Sequence, residues 1–568
     1  MIQNRHIINA LPLVADVLGR KYGVRVHIGG ERAYTDGKDI HLPSLPLDSD
    51  DTTRNLARSF IDHESGHLRD TDFAALEQAN LTPLEHHIWN SLEDFRIERH
   101  MGALFPGCRH NLTWLIRHIF LKPEPRNKRE QPDPAASILN WLLYTVRAWD
   151  VPALGTKRDK TASVVEAAYP GLIRQLAAIL DTVPQRCRST QDCIDTAREI
   201  VQILKQYVAN PPPVVQDNGP DQDKKKSKSG KGIQGAAGNS PQDTDCPSGQ
   251  QPQEMSPGRS SEINQPGDAL QALIATTGSD LPSDVGTVLS DALSAAKPDR
   301  GDRLQVAVCT AKSKSPFSSS ALDDARRATT ALRTRLQALL QSKVHTPSRT
   351  GYRGRLDTQR LHRMFTGNPR IFRTRAETIG IDTAVHILLD CSGSMGSASM
   401  DLAGKSCFAV TSALHAIPGV NVAVTAFPGN PLWDEHGRRA WNTVAPILKH
   451  GERMHGEFAL ASYGDTPLGE ALWWAMQQMQ ALTEPRKIIL AITDGYPDSK
   501  ALAQNAILTA KAIGYEVYGI GIGERTGIHD LLPTSSMTIL TLQELASAMF
   551  SILSNSLLNT QPQSSPSH

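Results

Sequence analysis

The stretch Ile387-Leu388-Leu389-Asp390-Cys391-Ser392-Gly393-Ser394-Met395 most constrains what this chain can fold into. A near-continuous apolar run from Ala384 to Leu389 stops at a carboxylate, two hydroxyls and a glycine. That pattern predicts a strand buried on both faces, which delivers polar groups to the carboxyl edge of a parallel sheet, where open α/β sheets bind ligands. Asp390, Ser392 and Ser394 present hard oxygen donors from a single turn, a set suited to Mg²⁺. Two later stretches repeat the polarity. Gly464-Asp465-Thr466-Pro467 opens an amphipathic segment, Leu468 to Leu482, and supplies a third hydroxyl, and the apolar run from Ile488 ends at Thr493-Asp494-Gly495. Three separated segments are thus expected to converge on one sheet edge.

Around them the pattern alternates. Strands are expected over Thr383–Asp390, Val420–Phe427, near Trp441 to Leu448, and over Lys487–Asp494, Glu516–Gly523 and Met537–Leu540. Helices are expected over Ser399–Ala416, Leu468–Leu482, Ser499–Ile513 and Leu542–Leu558. Such alternation predicts a parallel, doubly wound sheet. Asp390, Ser392, Ser394, Thr466 and Asp494 resemble the metal-ion-dependent adhesion site, or MIDAS, of von Willebrand factor A (VWA) domains. The resemblance implies a Rossmann-like α/β domain over 376–560. It also implies Mg²⁺ on those five residues, with a free position that a carboxylate from a partner protein fills.

A second motif lies near the other end. The first segment, up to Gly23, carries Ile7, Ile8, Leu11, Val14 and Leu18 at helical spacing, and reads as a packed helix rather than a signal peptide. Val24–Ile28 and Asp39–Pro43 alternate as short strands, with a turn at Asp36-Gly37 too far from the first for a minimal hairpin. From Thr53 the period turns helical and includes His63-Glu64-Ser65-Gly66-His67. Imidazoles four residues apart on a helix point the same way and can share one Zn²⁺, while Glu64 can act as a general base towards water. Short strands feeding such a helix resemble the zincin metallopeptidases, which implies a mainly helical α+β domain with an edge strand along a substrate cleft.

Zinc needs a third protein ligand. Thr82-Pro83-Leu84-Glu85 is a capping box with proline at the first helical position, predicting a helix from Pro83 to about Met101. Leu84, Ile88, Leu92 and Phe95 form its apolar face. Asp94 and Glu98 share one flank of that face, whereas Glu93 points nearly away. The wheel therefore favours Asp94 as ligand and Glu98, one turn on, as the group that orients a ligand histidine. Zincins of the glutamate-ligand type keep Glu93 as the alternative.

Between the motifs, helical periodicity continues over Leu112–Leu121, Ala136–Trp149, Ser163–Leu180 and Thr190–Tyr207, completing an N-terminal domain over 1–210. At Pro211 the composition changes. Through residue 267 the chain is rich in Pro, Gly, Ser, Gln, Asp and Lys with almost no large apolar residues, which predicts a disordered polar tether. A helical segment with a basic prelude is expected over 268–375, and a disordered tail over 561–568. The net charge of +1 gives no electrostatic reason to bind nucleic acid. Seven cysteines without a Cys-x-x-Cys fit a reducing cytoplasm, and no apolar run approaches the ~20 residues that span a bilayer. Gly404-Lys405-Ser406 imitates the end of a phosphate-binding loop, but Ser399 stands where that motif needs Gly and the residues fall inside a helix, so no nucleotide site is expected.

A helical N-terminal region, a polar tether, the basic stretch Gly354-Arg355-Leu356-Asp357 and a C-terminal A domain together resemble the CobT subunit of aerobic cobaltochelatase, most sharply from Gly354 to Leu558. The resemblance implies an adaptor that works with a MoxR/CobS-type AAA+ ATPase in metal insertion or complex remodelling, with a protein client. The His-Glu-x-x-His motif stands outside that resemblance.

Overall fold

The computed structural model describes residues 10–121, 133–210, 266–278, 281–298, 302–340, 382–433, 439–524, 526–549 and 551, with short backbone strands between 342 and 380. The tail and residues 211–265 of the tether expected above lie outside the described residues, and the tether's last two positions open a helix, Pro266–Ile274. The chain divides into two compact units, one of residues 1–71, 97–115 and 283–568, the other of 72–96 and 116–282.

The first unit begins with helix α1 (Leu11–Tyr22), which Gly23 ends in a left-handed conformation, φ 80°, by donating to the Arg20 carbonyl. Strands β1 (Arg25–Ile28), β2 (Tyr34–Thr35) and β3 (Asp39–Leu42) follow, in the spatial order β1-β3-β2. β1 runs parallel to β3, while β2 and β3 form the hairpin across Asp36-Gly37. The expected turn is present but joins β3 to a strand that sequence reading did not register: two residues are too few to show a period.

Helix α2 (Asp51–Asp70) starts two residues before the periodicity suggested, because Asp50 caps it by accepting from the Thr53 amide at 2.7 Å. Helix α3 (Pro83–Leu104) enters this unit at Ile97. A Cβ on Gly66 would lie 3.3 Å from Ile97 Cδ1 and 3.4 Å from Met101 Cγ, so the glycine inside the motif lets α2 and α3 approach closely. Helix α4 (Val285–Ala295) packs on α2 through the buried Val285, Leu289 and Leu293.

The rest of the unit is a seven-stranded sheet. Strand β4 (Val308–Cys309) comes from the stretch expected to be a helical segment with a basic prelude, and helix α5 (Ser319–Leu340) is a helix of that segment. Strand β5 (Thr383–Asp390), helix α6 (Gly396–His415), β6 (Val420–Phe427), β7 (Thr443–Leu448), helix α7 (Leu468–Gln480), β8 (Arg486–Thr493), helix α8 (Lys500–Ala512), β9 (Glu516–Ile522) and β10 (Ser536–Ile539) follow in order. The order across the sheet is β10-β9-β8-β5-β6-β7-β4. All neighbours run parallel except β6 and β7. All eight residues of β5 are buried, as a central strand covered on both faces requires. Val385, Ile387 and Leu389 pack with Ala403, Cys407 and Val410 of α6 and with Ala325 and Leu332 of α5. The alternate residues face α7, where His386 meets Trp474 edge-on with ring centres 5.8 Å apart.

The second unit is helical. Its core gathers Leu84, Ile88, Leu92 and Phe95 of α3 with the helices Pro134–Ala148, Gly155–Ala168, Leu172–Leu180 and Thr190–Ala209. The single helix expected over Ser163–Leu180 is two. Pro170 lacks an amide and Gly171 is left-handed at φ 79°, which breaks the run. Among the described residues, no helix is long and apolar enough to cross a membrane.

Candidate metal centres

At the carboxyl edge of the sheet the register places Leu389 opposite Ile492. Asp390 therefore meets Thr493 and not Asp494. Its Oδ2 accepts from the Thr493 hydroxyl and its Oδ1 from the Ser392 amide at 2.7 Å. Ser392 Oγ lies 3.0 Å from Ser394 Oγ, which donates to Asp494 Oδ1 at 2.9 Å. Thr466 joins the group: a Cβ on Gly495 would sit 3.2 Å from Ser394 Oγ and 3.6 Å from Thr466 Oγ1. Side chains from β5 and its turn, from the start of α7 and from the end of β8 thus stand around one point. Cys391, pointing to the other face, directs its thiol to the Leu389 carbonyl.

Backbone bonds hold the three pieces in place. Gly393 donates to the Gly464 carbonyl at 2.9 Å, and Tyr463 to the Cys391 carbonyl at 2.8 Å. Asp498 accepts from the Thr466 amide at 2.9 Å and returns its own amide to the Thr466 carbonyl at 3.1 Å. Burial pushes the Asp390 carboxyl up to about 6, the hydrogen bonds from Thr493 and Ser392 opposing it and the charge of Asp494 adding to it. Burial raises Asp494 as well. Two acids short of compensating charge, beside three hydroxyls, fit a small hard divalent cation. Thr493, Asp498 and Lys312 escaped sequence reading. Thr493 had the signal of adjoining a strand-terminal Asp, and Asp498 that of a helix-capping segment. Lys312, buried with Nζ 3.0 Å from the Pro428 carbonyl and 4.0 Å from the Tyr463 ring centre, comes from a segment with none. Gly404-Lys405-Ser406 lies inside α6, with Lys405 paired to Asp401 at 2.6 Å.

In α2, His63 and His67 stand one turn apart with ring centres 5.0 Å from each other. His63 is 2% exposed, and its Nδ1 lies 2.9 Å from Glu98 Oε1 of α3, leaving Nε2 as the ring's other nitrogen. His67 Nδ1 lies 3.1 Å from the Thr71 hydroxyl. Glu64 flanks His63: a Cβ on Gly286 of α4 would sit 3.4 Å from His63 Nε2 and 3.7 Å from Glu64 Oε1. Asp94 belongs to the second unit, four residues before Glu98 on the same helix, and there it pairs with the buried Arg147 at 3.0 Å. Glu93, which the wheel turns nearly away from the apolar face, is not exposed there. It is fully buried, and its carboxylate takes Arg96 at 2.6 Å and the Thr190 hydroxyl at 2.9 Å. The wheel considered one apolar face, whereas this part of α3 is enclosed on several.

Residues 384–548 match the family model of the von Willebrand factor type A domain, and residues 6–272 that of cobalamin biosynthesis protein CobT. Among solved structures, manganese-loaded TRAP protein of Plasmodium vivax is similar at 15% identity over 30% of this chain and 73% of that one, with a TM-score of 0.24. A von Willebrand factor type A protein of Catenulispora acidiphila is 20% identical over 32% of this chain and 44% of its own, TM-score 0.25. Proximal thread matrix protein 1 of the mussel byssus, with a zinc-occupied MIDAS motif, is 16% identical over 31% of this chain and 48% of its own, TM-score 0.24. With one family model over its N-terminal half and the other over its sheet, the chain is a CobT-like protein carrying a von Willebrand factor A domain.

Proposed function

We propose that the chain is a VWA adaptor resembling the cobaltochelatase subunit CobT, which couples a MoxR/CobS-type AAA+ ATPase to metal insertion or to remodelling of a protein complex. Residues 376–560 form its metal-dependent head and residues 1–210 present the client, in the cytoplasm. The carrying observation is the meeting of Asp390, Ser392, Ser394, Thr466 and Asp494, all oxygen donors, from three separated segments. These residues would hold Mg²⁺, and the bound ion would offer a partner's carboxylate a coordination position. Ser394 is exposed at the surface, where a partner can reach the site, while Asp390 is buried beneath it. The test is binding of the purified chain to a MoxR-type ATPase, with and without Mg²⁺. Binding should require the metal, and Asp390→Ala should abolish it while leaving the circular dichroism unchanged; binding that survives the substitution refutes the reading.

A second reading is supported by the pairing of His63 Nδ1 with Glu98 at 2.9 Å, since a carboxylate there fixes the tautomer that leaves Nε2 as a metal ligand. In this reading the N-terminal region is zincin-like, with His63, His67 and Asp94 holding Zn²⁺, which would supply Lewis acidity. Asp94 follows from its place one turn from Glu98 on α3, with Glu93 the alternative acid. Glu64 would take the proton from the attacking water during peptide hydrolysis. About one zinc per chain should be measured by mass spectrometry and lost in His67→Ala, whereas Glu64→Gln should keep the zinc and lose hydrolysis. Hydrolysis undiminished in Glu64→Gln would exclude the mechanism.

A further inference from the structure

Helix α4 lies across the ground that a substrate of the His63-Glu64-His67 motif would need. One face of it, at spacings of four residues, carries Gly286, Ser290 and Ser294, and Lys297 follows two residues beyond its end. Gly286 stands over the motif, where a Cβ would already be in van der Waals contact with His63 Nε2 and Glu64 Oε1, at 3.4 and 3.7 Å. One turn on, the Ser290 hydroxyl donates to the Ala33 carbonyl at 2.6 Å, and after another turn Ser294 Oγ accepts from the Ala33 amide at 3.3 Å. Lys297 then pairs with Glu31. From Gly286 to Ser294 the contacts run about 12 Å along the helix, from the motif to the segment that leads into β2.

Ala33 immediately precedes the outer strand of the small sheet. Its amide and carbonyl are the groups by which an extended peptide adds to a sheet edge, and both are engaged by serines of α4. At the other end the first turn of α4, where Asp284 caps the helix by accepting from the Thr287 amide, sets Gly286 beside the Glu64 carboxylate. From this juxtaposition we infer that α4 is an autoinhibitory plug, which covers the motif and the adjoining edge against an extended peptide until it is displaced. The inference rests on the zinc-hydrolase reading, but access to His63 can be measured without zinc.

The test uses the full chain, metal-free, with diethyl pyrocarbonate as the probe of the His63 imidazole and peptide mass spectrometry as readout. Two variants loosen the plug differently: Ser290→Ala/Ser294→Ala removes its bonds to Ala33, and Gly286→Leu drives a side chain against His63. Each should speed modification of His63 by about 10-fold or more, two lost hydrogen bonds multiplying local opening by roughly that factor, while the exposed His415 reacts at its wild-type rate. Rates at His63 equal to wild type in both variants overturn the inference. Zinc content and fluorescein-casein hydrolysis are read in parallel. A wild type that takes up no zinc defeats the hydrolase reading alone, with the plug still decided by modification. Zinc-loaded variants whose His63 is opened but which cleave casein no faster than wild type overturn the autoinhibitory role.

Discussion

Replacing Asp390 by Asn should make the metal-free sheet more stable at neutral pH and indifferent to metal. The folded carboxyl is pushed from 3.8 up to about 6, a difference worth about 3 kcal/mol. Between those values the folded chain holds the proton more tightly than the unfolded one. Stability therefore falls as pH rises through that window, and the whole penalty is present at pH 7.5. An amide carries no such charge. It still accepts from the Ser392 amide, but where Oδ2 accepted the Thr493 hydroxyl an NH₂ must donate, and Thr493, which also accepts from the Gly495 amide at 3.2 Å, must turn. That rearrangement costs about 1 kcal/mol, leaving a net gain of about 2 kcal/mol at pH 7.5. Hydrogen exchange of peptides covering β5 and β8 should then be roughly 30-fold slower in the variant than in metal-free wild type. At pH 4, where wild-type Asp390 is protonated, the variant should instead be slightly less protected. Mn²⁺ or Mg²⁺ at 100 times the dissociation constant should protect wild type by about 2.7 kcal/mol and leave the variant unchanged. Exchange as fast as wild type at pH 7.5 without metal, or metal-dependent protection retained by the variant, would refute the argument.

Gly469→Ala should lower stability, because a Cβ there would lie 2.7 Å from Leu502 Cγ and 2.9 Å from the Ala503 amide, forcing α7 away from α8. Overpacking set against the gain in helix propensity gives a net loss of about 1–2 kcal/mol, read as a lower urea midpoint; an unchanged midpoint would show that the two helices have room. His450→Gln should blunt acid sensitivity. Burial pushes His450 down to about 4, so its unfolded form binds the proton first, and up to about 3 kcal/mol is lost as pH falls from 6.5 to 4. Hydrogen exchange at β5, where His386 contacts His450 at 3.2 Å, should fall off less steeply with acid in the variant; superimposable pH profiles would contradict this.

Much of the sheet was legible because local chemistry and tertiary role coincide there. A run of apolar residues that stops at Asp390 is a strand end whichever neighbours it acquires, and a glycine-led hydroxyl before an amphipathic run is a helix start. Period and polarity therefore placed Asp390, Ser392, Ser394, Thr466 and Asp494 at the same kind of location. They could not say that Asp390 is held by Thr493 rather than Asp494, since that depends on register between strands about 100 residues apart. Nor could they assign β4, whose two residues become a strand only because the edge of β7 is there to pair with.

The N-terminal motif divides the same way. Sequence determined that His63 and His67 share a helix face and that Asp94 and Glu98 share another, because helical spacing alone fixes both. Only the tertiary structure decided that Glu98 reaches His63, that Asp94 has Arg147 and Glu93 has the Thr190 hydroxyl as partners, and that Gly286 of α4, more than 200 residues downstream, stands beside Glu64. The physical reason is range: capping and periodicity act within about a turn or two, whereas which charges are neutralised and which face is covered depend on chain segments that meet only when the whole unit packs.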